Sequence, residues 1–421
     1  MKLINYLILI FILNNFFVFS NKEKIFLIKE LPEESLTTPE IIEYYGYKCE
    51  IHKVLTEDEY ILEMHRIPFG RNFNEINNKP VIFLQHGLLA SSADWITNLP
   101  YQSLGFLLAD AGFDVWLGNV RGNFYSSKHK KYTRKDPKYW NFSWDEMSSK
   151  DLPAMIDKAL KVSGQSKLYY VGHSQGTEIM FAQLSNGNPN FSKKAKIYSS
   201  FSFYSPFKII KFFALAPVAS VKHIKGLFAI IGKLFGKHLG ILSWLFGSHE
   251  FLPHNWATQL FAKMICGQSW ENPFCDNILF LIGGPETSQF NRSRLMVYMA
   301  HEPAGTSTKN IIHWSQMQQS GFVQKFNYGT AKANYLHYGQ NTPPIYNLTK
   351  ISNVPIYLYY SDSDWLATKK DVEETILQQI PSKYIKIAKN LPNFNHFDFI
   401  WGINANKIIY DEIIKEALKE E

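Results

Sequence analysis

The sequence predicts an α/β fold: a mostly parallel central sheet with helices on both faces and a mainly helical segment inserted late in the chain. Three observations lead there. Short apolar runs rich in β-branched and aromatic residues alternate with longer helical stretches, the pattern of parallel strands joined by crossover helices. Near the N-terminus a pair of such runs is separated only by a tight polar turn. Between about Ala219 and Asn347 the alternation stops.

The elements follow in order. Tyr47 to Val54 and Tyr60 to Arg66 flank Thr56-Glu57-Asp58 and read as an antiparallel hairpin that opens the sheet. Parallel strands are expected at Val81 to Gln85, Phe113 to Leu117, Lys167 to Val171, Ile209 to Leu215, Val354 to Tyr360 and Tyr384 to Ile387. Residues 21–218 and 348–421 are thus assigned to a core in two parts, and 219–347 to an inserted cap. Within the insert, Gly226 to Gly247 carries Leu, Ile, Phe and Trp on more than one face. A helix apolar all round is usually buried; the alternative is a lid or lipid-facing surface.

With 421 residues, 46% of them hydrophobic and 15% aromatic, the chain has ample material for a large core. Charged residues make up 19% with a net charge of +7, and the cations are scattered without a basic stripe, which argues against nucleic acid as a partner. Residues 1–20 place Lys2 before a run of Leu, Ile, Phe and Val and end in small residues, which reads as a signal peptide cleaved after Ser20. A membrane anchor is the alternative, weakened by Asn5, Asn14 and Asn15 inside the run. No later segment is a long uninterrupted apolar run, so no transmembrane anchor is expected once the signal is removed. The cysteines are Cys49, Cys266 and Cys275, too few for a disulfide-stapled scaffold. In an exported chain Cys266 and Cys275 are expected to pair, leaving Cys49 as a free thiol; two buried thiols are the alternative. Asn141, Asn190, Asn291 and Asn347 begin glycosylation sequons that fit export.

Gly172-His173-Ser174-Gln175-Gly176 follows the strand at Lys167 to Val171 and precedes a helical run, Thr177 to Leu184. A serine nucleophile on a strand-to-helix elbow needs small residues two places before and after it, because the chain turns sharply there; Gly172 and Gly176 meet that need. A serine hydroxyl needs a base, and the base needs an orienting carboxylate. Both are expected downstream, each on a loop after a later strand. The strand ending at Tyr360 runs into Ser361-Asp362-Ser363-Asp364, and the last strand leads to Phe394-Asn395-His396, so His396 is the candidate base and Asp364 or Asp362 the acid. His173 is expected to pack or hydrogen-bond beside the serine. The oxyanion needs amide donors, expected from the N–H of Gln175 and, after Val81 to Gln85, from Leu88 in His86-Gly87-Leu88-Leu89.

Several stretches together resemble the acid lipase family, of which gastric lipase and lysosomal acid lipase are members. They are TEDEYILEMHRIPFG from Thr56, QHGLLASSADWITNLPYQSLGFLLADAGFDVWLGNVRGN from Gln85, YVGHSQGT from Tyr170, FFALAPVAS from Phe212, RLMVYMAHEPAGTS from Arg294 and FNHFDFIW from Phe394. The resemblance implies an α/β-hydrolase fold with Ser174 as nucleophile, Asp364 as acid, in preference to Asp362, and His396 as base. It further implies oxyanion amides at Leu88 and Gln175, a cap disulfide between Cys266 and Cys275, and a cap over the serine. The activity implied is hydrolysis of neutral-lipid esters, triacylglycerols or sterol esters, through an acyl-enzyme with no metal or organic cofactor, in a secreted or lysosomal protein. A small-substrate esterase or thioesterase and a non-catalytic lipid carrier are the alternatives. The stretch from Asn190 to Lys211 is longer than the family pattern, and if it belongs to the protein it is expected to be exposed; Cys49 also departs from the pattern.

Overall fold

The computed structural model describes residues 30–72, 78–186, 208–235, 249–252, 254 and 279–419. The expected signal peptide, Asn190 and the long stretch after it as far as residue 207, both Cys266 and Cys275, and residues 236–247 of the apolar run lie outside the described residues.

The strands are β1 Glu50–Leu55, β2 Tyr60–Ile67, β3 Val81–Gln85, β4 Asp114–Gly118, β5 Lys128–His129, β6 Leu168–His173, β7 Ile209–Leu215, β8 Glu250–Phe251, β9 Thr306–Ser307, β10 Ile356–Tyr360 and β11 Ile385–Asn390. The main sheet runs β1-β2-β4-β3-β6-β7-β10-β11, with β5 paired to β2. From β4 to β11 every pairing is parallel, while β1, β2 and β5 pair antiparallel at one edge. Strands β3, β4 and β10 are buried along their whole length, as expected of parallel strands covered on both faces. Strand β1 instead alternates between half-buried and exposed positions, because it is an edge. Helices Leu104–Asp110, Leu152–Ser163 and Gln175–Ser185 connect β3 to β4, β4 to β6 and β6 to β7.

Most strands begin or end within one or two residues of the sequence reading, and the two larger differences have physical reasons. Strand β1 starts at Glu50, not Tyr47, because the Tyr47 ring stacks on Phe106 at 4.5 Å and its hydroxyl donates to Asp110. Strand β11 runs on to Asn390, where Lys389 reaches Glu412 at 2.9 Å. Among its described residues, the stretch between β7 and β10 holds helices Gly226–Phe235, Leu295–His301, Thr308–Ser320 and Ala331–Tyr338. It also holds the short antiparallel pair β8 and β9, which the sequence reading did not foresee because each is only two residues long.

The chain goes from β3 out to β4 and then back past β3 to β6, so the carboxyl ends of β3 and β6 lie side by side with Gln85 opposite Gly172. A reversal of this kind opens a crevice at the strand ends in open α/β sheets.

Candidate active site

Ser174 directly follows β6 and takes φ 52 and ψ −121, a positive-φ conformation rarely adopted by residues with a Cβ. Its amide donates to Leu215 O at the end of β7, and its carbonyl accepts from the Thr177 amide at 2.8 Å, opening helix Gln175–Ser185. The glycines are needed for space. A Cβ on Gly172 would stand 2.8 Å from the Gly176 carbonyl, and one on Gly176 would stand 2.3 Å from Gln85 O. Gly87 lies against the serine itself, where an added Cβ would be 3.1 Å from Ser174 Cβ.

The ends of three parallel strands bring together the expected residues. Ser174 Oγ is 2.9 Å from His396 Nε2, and His396 Nδ1 is 2.9 Å from Asp364 Oδ2. Asp364 Oδ1 accepts the amides of Leu366 and Ala367, each at 2.8 Å, so the loop after β10 holds the carboxylate in one orientation. All three side chains are buried. Asp362, the competing acid, points elsewhere: it pairs with Lys369 at 2.9 Å and accepts from Asn390. The backbone amide of His396 donates to Gly283 O at 3.0 Å, and that of Trp365 donates to the same oxygen at 3.1 Å. One carbonyl from the stretch between β7 and β10 therefore ties the loop after β10 to the loop after β11.

His173 packs beside His396, with Nε2 3.0 Å from the His396 carbonyl. That partner is an acceptor, so His173 carries its proton on Nε2. Burial, and secondarily the His396 ring, hold its pKa well below the usual imidazole range, leaving it neutral. After β3, His86 Nδ1 donates to Gly87 O at 2.8 Å while Nε2 accepts the Val120 amide at 3.3 Å, which fixes the turn before Leu88. Burial pushes His86 down to about 4. Among the described residues, neither the Leu88 nor the Gln175 amide donates to a backbone carbonyl outside regular elements.

A serine hydroxyl bonded to an imidazole, itself bonded to a buried carboxylate, is an arrangement suited to acyl transfer. The sequence reading named His86 only as part of His86-Gly87-Leu88-Leu89 and gave it no role, and it missed the Gly283 carbonyl and the pair Asn310 and Trp314, which grip the Gln175 side chain. These last have no motif of their own, since their contacts span long stretches of chain. Of the sequon residues, Asn141 and Asn347 are exposed and Asn291 is half-buried. Cys49 is a free thiol packed against the core.

Comparison with known proteins fits this geometry. Residues 38–99 match the model of a partial alpha/beta-hydrolase lipase region, and residues 80–194 match that of the alpha/beta hydrolase fold. The chain is 51% identical to Lipase lipl-5 of Caenorhabditis elegans, over 91% of this chain and 92% of that protein. It is 45% identical to gastric triacylglycerol lipase of Bos taurus, over 92% of each. A solved structure from Sulfolobus solfataricus shares the fold at 14% identity with a TM-score of 0.51, over 87% of this chain and 93% of that one. The chain belongs to the acid lipase family of gastric lipase type, ester hydrolases built on the α/β-hydrolase fold.

Proposed function

We propose that Ser174 is the nucleophile of a lipase that cleaves neutral-lipid esters through an acyl-enzyme. The observation that carries this reading is the unbroken hydrogen-bonded series Ser174 Oγ, His396 Nε2, His396 Nδ1 and Asp364 Oδ2. His396 takes the Oγ proton as the serine attacks the ester carbonyl, and Asp364 holds the imidazole in the tautomer that leaves Nε2 free to accept. The oxyanion is received by the amides of Leu88 and Gln175. His396 then protonates the departing alcohol, leaving the acyl group on Ser174. Water activated by the same imidazole releases the fatty acid, and the serine regains its proton.

The substrate class proposed is triacylglycerol or sterol ester, in line with the triacylglycerol lipases among the relatives. Exposed Leu227, Ile230, Leu252 and Leu281, all between β7 and β10, offer apolar surface for acyl chains. Residues 219–347 act in this reading as a cap that shields the intermediate from water. Cleavage after Ser20 and export to the lysosome or the exterior fit the sequence, and exposed Asn141 and Asn347 are the better-placed glycosylation sites. Among the described residues no helix is long and apolar enough to cross a membrane.

Labelling with an alkyl fluorophosphonate followed by peptide mass spectrometry tests the nucleophile. The adduct is expected on the peptide holding Ser174 and absent from Ser174→Ala. An adduct on another serine, with Ser174 unmodified in active protein, would refute the assignment.

A further inference from the structure

The first residue of the nucleophile helix, Gln175, has a buried side chain held on both ends. Its Oε1 accepts from Asn310 Nδ2 at 2.8 Å and from Trp314 Nε1 at 3.0 Å, while Nε2 lies 3.4 Å from Met147 Sδ. Asn310 and Trp314 belong to helix Thr308–Ser320, in the stretch between β7 and β10, far from the elbow in sequence.

The chemistry fixes which atom is which. An indole N–H is a donor only, so the Gln175 atom facing Trp314 is the oxygen. Asn310 accepts the Trp144 amide at 2.8 Å through Oδ1, which turns its Nδ2 toward Gln175. Both amides are therefore oriented by partners that permit one assignment.

The position of this tether matters because of the backbone it holds. The ψ angle of Ser174, −121, sets the plane of the peptide between Ser174 and Gln175, and with it the direction of the Gln175 N–H. Ser174 is in a conformation that relaxes unless its surroundings prevent it. Rotation about that bond would swing the N–H away from the developing oxyanion. The carbonyl of the same peptide is held from within the helix by the Thr177 amide at 2.8 Å and the Thr177 hydroxyl at 2.7 Å, and the Gln175 side chain adds a restraint from a distant helix.

We infer that Asn310 and Trp314 are positioning residues for the oxyanion hole: by gripping the Gln175 side chain, the insert's helix holds the Gln175 amide aimed at the reacting carbonyl oxygen. The inference rests on the reading of Gln175 as an oxyanion donor. It makes this helix part of the catalytic apparatus, whatever the rest of the insert does for lipid access.

The test uses the full-length enzyme, a soluble p-nitrophenyl ester, and active sites counted by titration to completion with a fluorophosphonate. Trp314→Phe, which keeps the ring and removes the N–H, is expected to lower kcat per titrated site several-fold with KM unchanged. Asn310→Ala combined with Trp314→Phe is expected to approach the roughly 10²-fold loss typical of a missing oxyanion donor. A double variant whose titrated fraction falls while kcat per site stays at the wild-type value would overturn the inference, because that is the signature of a purely structural contact. The same outcome would leave the nucleophile reading intact, whereas wild-type turnover by Ser174→Ala would overturn both.

Discussion

Gly176 lies so close to Gln85 that a Cβ on the glycine would stand 2.3 Å from the Gln85 carbonyl oxygen and 2.9 Å from that of His86. Both oxygens belong to backbone at the end of β3, which cannot retreat without breaking its ladder with β6. Gly176→Ala is therefore expected to lower stability by about 1 to 3 kcal/mol, the usual cost of overpacking, and to displace Ser174 enough to abolish ester hydrolysis. Urea unfolding and an esterase assay check both; wild-type turnover in the variant would contradict the packing described here.

Asp151 and Arg121 form a buried ion pair at 2.7 Å, and Asp151 also accepts the Arg121 amide at 3.0 Å. The guanidinium is 1% exposed and lies 4.0 Å from the centre of the Tyr60 ring; its other partner, Asp58, is partly open to solvent. Removing one member of such a pair strands a buried charge. Asp151→Ala should cost about 3 to 5 kcal/mol and Asp58→Ala less. The reverse ranking in urea titrations would show that Asp58 is the main partner.

Asp398 accepts the Thr287 hydroxyl at 2.6 Å and the Asn395 amide at 2.7 Å. Burial outweighs these bonds and pushes its carboxyl up to about 7. An unfolded aspartate titrates at about 3.9. Below that value both states hold the proton and no stability is lost. As pH rises toward 7 the unfolded chain gives up its proton and the folded protein does not, so stability is withdrawn across that interval. Asp398→Asn keeps an acceptor oxygen and has no proton to lose. Its melting temperature is expected to climb relative to wild type between about pH 4 and 7. A difference that does not change with pH would contradict this.

Burial pushes the Cys49 thiol up to about 12. The thiolate, which is the reactive form, is then scarce near neutral pH. Iodoacetamide at about pH 8 should leave Cys49 unmodified in the native enzyme and modify it in urea. Rapid native labelling, read by intact mass, would show that the thiol is open.

The chemistry at the strand ends was the most legible part of the sequence. A glycine-flanked serine after one apolar strand, and an aspartate and a histidine after two later ones, can be read because each is local to its own loop. The choice between Asp362 and Asp364 was not local. It came from family resemblance, and its physical basis is visible only in space, where Leu366 and Ala367 amides turn Asp364 inward while Lys369 and Asn390 hold Asp362 outside. The strands were legible because buried parallel strands are continuous apolar runs, such as Ile356–Tyr360. What stayed hidden were contacts between distant segments: Gly283 O with the amides of Trp365 and His396, and Asn310 and Trp314 with Gln175. A backbone carbonyl has no sequence signature, and a polar side chain inside a helix is ordinarily a solvated one.

The most direct test of the central claim is hydrolysis of triolein and cholesteryl oleate emulsions from about pH 4 to 8 by the purified chain and by Ser174→Ala. The expected result is fatty-acid release from at least one of the lipids by the wild-type chain alone. Equal release by the Ser174→Ala variant, or none from either lipid by folded wild-type protein that is labelled by fluorophosphonate, would contradict a Ser174 neutral lipase.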